Sequence, residues 1–185
     1  MMMHRRNTGG LVALLLTAAA PVFAQEALPV SARQGLDQAF DAAHTWSEDA
    51  YLIYLENDEP VASGNSPRWG YLFHSPARGI SRGYSIQDGS IRVASDLMFE
   101  FPSPPLPRQW VDSAEAFAKA EDEGGREYCQ RTGGSVASMF LVGGLLHPKN
   151  PEAPTWAILY ESQSEPGLWV VVDAESGKVV RRWRG

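Results

Sequence analysis

One repeat constrains this chain more than any other feature. Trp69-Gly-Tyr71-Leu-Phe73-His-Ser75 matches Trp156-Ala-Ile158-Leu-Tyr160-Glu-Ser162 at an offset of 87 residues. Both segments alternate bulky and lesser side chains, the pattern of a strand with one buried face. The same offset pairs the apolar runs Ala50–Leu55 and Ala137–Val142. A third strand follows in each half, Gly83–Gln87 and Leu168–Val172. Each then turns back, through Asp88-Gly89 into Ser90–Ala94 and through Asp173–Gly177 into Lys178–Trp183. Asp-Gly suits a tight hairpin because glycine accepts the positive φ of primed turns.

A helix precedes each set of strands. Ser31 with Gln34 has the spacing of a capping box. Leu36, Ala39, Phe40 and Ala43 then recur on one helical face, predicting a helix from Ser31 to about Thr45. Asp112 with Glu115 opens a second helix through Ala116, Phe117 and Ala120, running to about Arg131 and ended by Gly133-Gly134. The helical match has an offset of 77, so the second half holds ten extra residues, most simply as a longer helix and turn. Between the halves, Phe101–Arg108 contains four prolines in eight residues, which favour a stiff, extended connection. The expected fold class is α+β: two tandem helix-plus-antiparallel-sheet units at 25–97 and 111–185, joined by a Pro-rich linker at 98–110. Units this small have marginal cores alone, so the two sheets are expected to associate.

Residues 1–24 read as an address. His4, Arg5 and Arg6 precede the apolar run Leu11–Val22, and Val22-Phe-Ala24 ends the segment with residues that suit signal peptidase. Twelve apolar residues are too few to span a bilayer, which takes about 20. Cleavage is expected near Ala24, giving a bacterial periplasmic or secreted protein. No cysteine stands near that point for lipid attachment, because the chain has a single Cys, Cys129. The formal net charge of −6 lacks the basic face that nucleic acid requires. No membrane span is expected in the mature chain.

The ending Val171–Val180, with Asp173-Ala174-Glu175-Ser176-Gly177 at its centre, resembles the signature end of a PepSY domain, in which threonine is common where Ser176 stands. The Ala-Phe-x-x-Ala helix, the Trp-led strand and the final hairpin are similar to that family's order of elements. The resemblance covers most of 112–183. It is weaker over 32–94, where Asp88-Gly89 forms a shorter turn without the Asp-Ala pair. It implies a helix packed on an antiparallel sheet, in bacterial proteins working outside the cytoplasm. PepSY domains are similar to part of the propeptides of thermolysin-like proteases, where chaperoning and inhibition of the protease are proposed. At fold level, the tandem arrangement also resembles β-lactamase inhibitor proteins.

The chain has no His-Glu-x-x-His metal motif. His44, His74 and His147 have no second ligand at metal spacing, so surface or capping roles are expected. Cys129 is expected to be a small, buried apolar group. Glu121-Asp122-Glu123 and Glu56–Glu59 read as solvated runs, without calcium-loop spacing. Asp173 and Ser176 are expected to shape the last hairpin. No metal or cofactor site is assigned, and no enzyme activity. Six tryptophans are available for cores or for an interface, where Trp is enriched. Arg181, Arg182, Trp183 and Arg184 form the dense basic cluster of the mature chain. They are the candidate partner-binding edge, although such arginines can also simply keep an edge strand soluble. The expected function is non-catalytic binding, inhibiting or chaperoning an envelope or secreted protein such as a peptidase. An envelope structural or assembly factor is the alternative.

Overall fold

The computed structural model describes residues 27–98 and 103–185, so the expected signal segment and its cleavage point lie outside the described residues. Helix α1 (Leu36–Trp46) precedes strands β1 (Tyr51–Asn57), β2 (Arg68–Ser75), β3 (Ile80–Gln87) and β4 (Ser90–Leu97). Helices α2 (Ser113–Ala120) and α3 (Arg126–Thr132) flank a five-residue turn, Glu121–Gly125. Strands β5 (Ser135–Gly143), β6 (Pro154–Glu161), β7 (Leu168–Asp173) and β8 (Val179–Arg184) follow. The order of one helical segment and four strands thus occurs twice, and the fold class is α+β.

The eight strands form one antiparallel sheet in the order β4-β3-β2-β1-β5-β6-β7-β8. The expected association of two sheets is edge pairing at the centre, where Tyr54, Leu55 and Glu56 of β1 oppose Val142, Leu141 and Phe140 of β5. Nothing local in the sequence encodes that pairing. Asn57 adds to it by accepting, at its side-chain oxygen, the Met139 N–H at 2.6 Å.

Alternation places Trp69, Tyr71 and Phe73 of β2 on the same face as Trp156, Ile158 and Tyr160 of β6, and all six are buried there. The helices pack on this face alone, and a single apolar cluster runs through both halves. Trp69 Nε1 donates to the Val30 carbonyl at 2.8 Å, and Trp156 Nε1 donates to the Val111 carbonyl at 2.7 Å. Each indole N–H is therefore satisfied by the chain entering the helix of its own half, as a buried donor requires.

Two expectations need correction. The first helix begins at Leu36, not Ser31, and residues 32–35 form turns. The Ser31/Gln34 box does not form, because the Gln34 N–H bonds the Ser31 backbone carbonyl. The neighbouring amides are taken by the other half: Ala32 N–H donates to Ser113 Oγ at 2.9 Å and Arg33 N–H to Asp112 Oδ1 at 3.2 Å. The second helix is not continuous either. It ends as expected, with Gly133 at φ 69°, but it kinks at Glu123-Gly124, where Gly124 takes φ 119°. A side chain is strongly disfavoured there. The kink brings Gly125 against Tyr160, and a Cβ at 125 would fall 2.3 Å from the ring.

The Pro-rich connection is part of the core where it is described. Leu106 and Trp110 are buried, and Leu106 N–H donates to the Leu52 carbonyl at 2.8 Å. Ser103 Oγ reaches the carbonyls of Ile53 and Gly143, both at 3.2 Å, so the connection straps the seam between β1 and β5. Arg33 holds its far end, stacking its guanidinium 4.3 Å from the Trp110 ring and donating to the Trp110 carbonyl.

Candidate functional site

The sheet face opposite the helices carries the residues that alternate with the core positions. Tyr54 of β1, Phe140 of β5, Trp169 of β7 and Trp183 of β8 lie on it, as their pairing partners require. These rings form a row across the sheet. Tyr54 and Phe140 have centroids 5.6 Å apart, Phe140 and Trp169 meet edge-on at 6.2 Å, and Trp169 stacks on Trp183 at 5.6 Å with 7° between planes. Arg181 closes the row, its guanidinium 4.7 Å from the Trp183 ring. The small residues paired between them, Ala157 and Val171, are buried, while the four rings are half-buried.

Beside Tyr54 the same face sinks into a groove of about 320 Å³. Gly70 and Gly83 form its floor, and Val93 and Leu97 of β4 its apolar wall. A Cβ at Gly70 would stand 2.8 Å from Asp58 Oδ1, so a side chain there would displace the Asp58 carboxylate. The groove's acids are already engaged: Tyr54 Oη donates to Glu56 at 2.7 Å and Ser85 Oγ donates to Asp58, while Arg68 in its lining pairs with Glu59 outside it at 2.7 Å. Burial, with the Glu56 carboxylate beside it, holds the Tyr54 hydroxyl well above the usual phenol range.

The four sequence-predicted partner residues all lie on β8, an edge of the sheet, but the structure does not bring them together on one surface. Trp183 and Arg181 belong to the open face. Arg182 and Arg184 turn to the helix side, where Arg182 donates to the Glu123 carbonyl at 2.9 Å and Arg184 pairs with Glu165 at 3.0 Å. Arg184 also lies 4.9 Å from the Tyr128 ring, and Arg131 shares Glu165 at 3.0 Å. The basic cluster of the sequence is therefore split by the period-2 alternation of the strand.

The remaining chemistry-bearing residues have structural partners. Asp173 Oδ1 accepts from Glu175 N–H, from Ser176 N–H at 2.6 Å and from Ser176 Oγ at 2.7 Å, so the pair shapes the hairpin turn. Burial pushes the Asp173 carboxyl up, but the Ser176 bonds, the Glu175 amide and nearby His147 hold it below its ordinary value. His147 Nε2 lies 3.6 Å from Asp173 Oδ2, while its Nδ1 accepts the N–H groups of Lys149 and Asn150 at 3.2 and 2.8 Å. That acceptor role places the ring proton on Nε2, facing the carboxylate. His74 Nδ1 lies 3.2 Å from Ser81 Oγ. Ser81, the serine of Gly79-Ile80-Ser81-Arg82-Gly83, is fully buried within β3. Cys129 is half-buried against the core, and burial raises its thiol further above neutrality. Among the described residues, no three His, Cys, Asp or Glu side chains gather as a metal site.

The aromatic row was the feature that sequence reasoning missed. Its signal was present: β1, β5 and β7 carry large side chains at both parities of the alternation. A strand buried on one face alone would not need them.

No protein-family model matches this chain, and no curated protein matches it. Among solved structures, it is similar to a crystal structure described as a "putative lipoprotein" from Clostridium difficile 630, with a TM-score of 0.57. The two are 12% identical, over 81% of this chain and 92% of that one. The likeness is one of fold. No helix among the described residues is long and apolar enough to cross a membrane.

Proposed function

We propose that this chain is an exported, non-catalytic binding protein built from two tandem PepSY-like units. In this reading it docks an envelope or secreted protein, such as a peptidase, on the open face of its sheet. The observation that carries the reading is the aromatic row Tyr54–Phe140–Trp169–Trp183, which crosses a face that no helix covers among the described residues. Aromatic side chains supply large contact areas at low entropic cost and recur at interface hot spots. The twice-repeated order of helix and four strands and the Asp173–Ser176 turn support the tandem PepSY-like assignment. The segment 1–24 supports export, and the fold neighbour's description as a lipoprotein fits an envelope setting. Chaperoning or inhibition is the role we assign, on the PepSY resemblance.

Site-specific photo-crosslinking in the producing bacterium tests this. A photoreactive residue at Ser138 or Leu159, on the rung of the open face that leads to Trp169 and Trp183, is expected to yield one discrete protein adduct. The same residue at Asp41 or Lys119, on the helices, is expected to yield none. Adducts from the helix positions alone would overturn the reading, and the adduct's identity decides between a peptidase and an assembly complex.

A further inference from the structure

The groove beside Tyr54 has walls of opposite character. Tyr54 and Glu56 stand along its β1 side, across from Leu72 and Gly70 of β2. Val93 and Leu97 stand along its β4 side, across from Ser85 and Ser81 of β3, and Val93 is 52% exposed. Two strand glycines lie between. The Asp58 carboxylate takes the place that a Gly70 side chain would fill, and Ser85, opposite Gly70, donates to it. At Gly83 an added Cβ would meet only the Ser95 carbonyl oxygen, at 4.0 Å. Nor is Gly83 among the residues with the left-handed backbone that demands glycine. Glycine weakens a strand interior, and where neither packing nor φ requires it, it marks a place kept clear for an approaching group.

The charges around that floor do not cancel. Tyr54 Oη and Ser85 Oγ are neutral donors, so they orient the Glu56 and Asp58 carboxylates without neutralising them. Arg68 is the cation of the lining, and its guanidinium is drawn to Glu59 at 2.7 Å and to Asp58 at 3.9 Å. Three carboxylates thus share one guanidinium, and Glu56 has no cationic partner among the described residues. An aliphatic wall beside surplus negative charge suits a long apolar stem that ends in a cation, as arginine and lysine side chains do. A volume of about 320 Å³ is at the small end of ligand pockets, with room for one such side chain. Tyr54, a wall of the groove, is also the first ring of the aromatic row, so the two form one continuous surface. We propose, resting on the docking reading given above, that this groove is a specificity pocket for a basic side chain on the partner. The partner is then a protein with a basic anchor next to the apolar stretch that meets the row.

Peptide titration followed by the amide chemical shifts of isotope-labelled protein tests the pocket. The probe is the tripeptide Gly-Arg-Gly, blocked at both ends, with Gly-citrulline-Gly as its neutral counterpart. Saturable shifts at Gly70, Gly83 and Ser95 are expected for the arginine peptide, with a Kd of about 1 mM. The citrulline peptide should bind about tenfold more weakly, because it has the shape without the charge. Glu56→Gln, which keeps an acceptor for Tyr54, should weaken the arginine peptide about fivefold. Gly83→Val should weaken it about tenfold, since an isopropyl group then rises from the bare floor of a strand that valine favours. Shifts away from the groove should match the wild type in both variants, so a lost titration reports the pocket and not the fold. No saturable shift with the arginine peptide overturns the pocket, and equal binding of the citrulline peptide overturns its charge selectivity. A discrete Ser138 adduct without groove shifts overturns the pocket alone. Groove shifts without that adduct support the pocket and overturn the docking reading instead.

Discussion

The indole rings of Trp69 and Trp156 meet edge to face, 6.2 Å apart and at 72°, beneath the seam where β1 pairs with β5. Trp110 from the Pro-rich strap packs on Trp156 in turn, at 5.7 Å. The three rings join the helix-side cores of both halves, so neither half buries its own tryptophan without the other.

Replacing Trp69 or Trp156 by Ala is therefore expected to cost about 3–5 kcal/mol, as other buried Trp truncations do. Their shared contact makes the two losses non-additive, with the double variant costing less than the sum of the singles. Denaturant melts of the three variants check this. A loss under about 1 kcal/mol for either single would contradict its burial.

Much of this architecture could be read in the residues. Alternation located all eight strands, and Asp88-Gly89 named its turn: the two residues take φ 50° and 61°, both positive as a primed turn needs. What could not be read is what passes between the halves. The β1–β5 pairing joins residues more than 80 positions apart, and Ser113 and Asp112 cap the amides of Ala32 and Arg33 from equally far away. A local pattern carries no record of a distant donor, so the capping-box spacing at Ser31 points five residues ahead of the true start at Leu36. The basic cluster divides for a simpler reason. Four neighbours in sequence occupy two faces of a strand, and only Arg181 and Trp183 share the face with the aromatic row.

The kinked turn gives a second prediction. Gly125→Ala places a Cβ where the Tyr160 ring already stands, and overpacking of this kind costs about 1–3 kcal/mol. Gly79→Ala is the contrast: its φ is 65° but its Cβ meets nothing within 4 Å. It should lose only the backbone strain, about 1 kcal/mol. Equal losses at the two sites in thermal melts would show that helix α2–α3 shifts freely off β6.

Acid stability should depend on Asp49. Its carboxylate accepts from Ser75 Oγ at 2.7 Å, from Ala77 N–H at 2.6 Å and from Ser47 Oγ at 2.7 Å. The Ser75 bond leads these three in lowering its pKa from 3.8 to about 2. The folded value lies below the unfolded one, so the contribution is complete above the unfolded pKa and is lost as pH falls from 3.8 through about 2. Unfolding midpoints measured across that window should fall less steeply in Asp49→Asn than in the wild type. Parallel slopes would mean that the hydroxyls and the amide do not hold the charged form.

The last strand separates a docking role from a structural one. Trp183 stacks on Trp169, Arg184 pairs with Glu165, and Gly185 N–H donates to the Gly167 carbonyl at 3.1 Å. Truncation after Val180 removes all three contacts. It is expected to destabilise the fold by about 2 kcal/mol or more, which makes it a poor probe of binding. Point variants are better. Trp183→Ala should lower the yield of the partner adduct formed from Ser138, because it removes the end of the aromatic row on the same rung of the sheet. Arg182→Ala and Arg184→Ala should leave that yield unchanged, because both guanidinium groups are turned to the helix side against Glu123 and Glu165. Arg181→Ala should fall between, since its guanidinium lies on the Trp183 ring. The opposite ranking, with Arg182 and Arg184 sensitive and Trp183 silent, would move the docking surface to the helix side of β8.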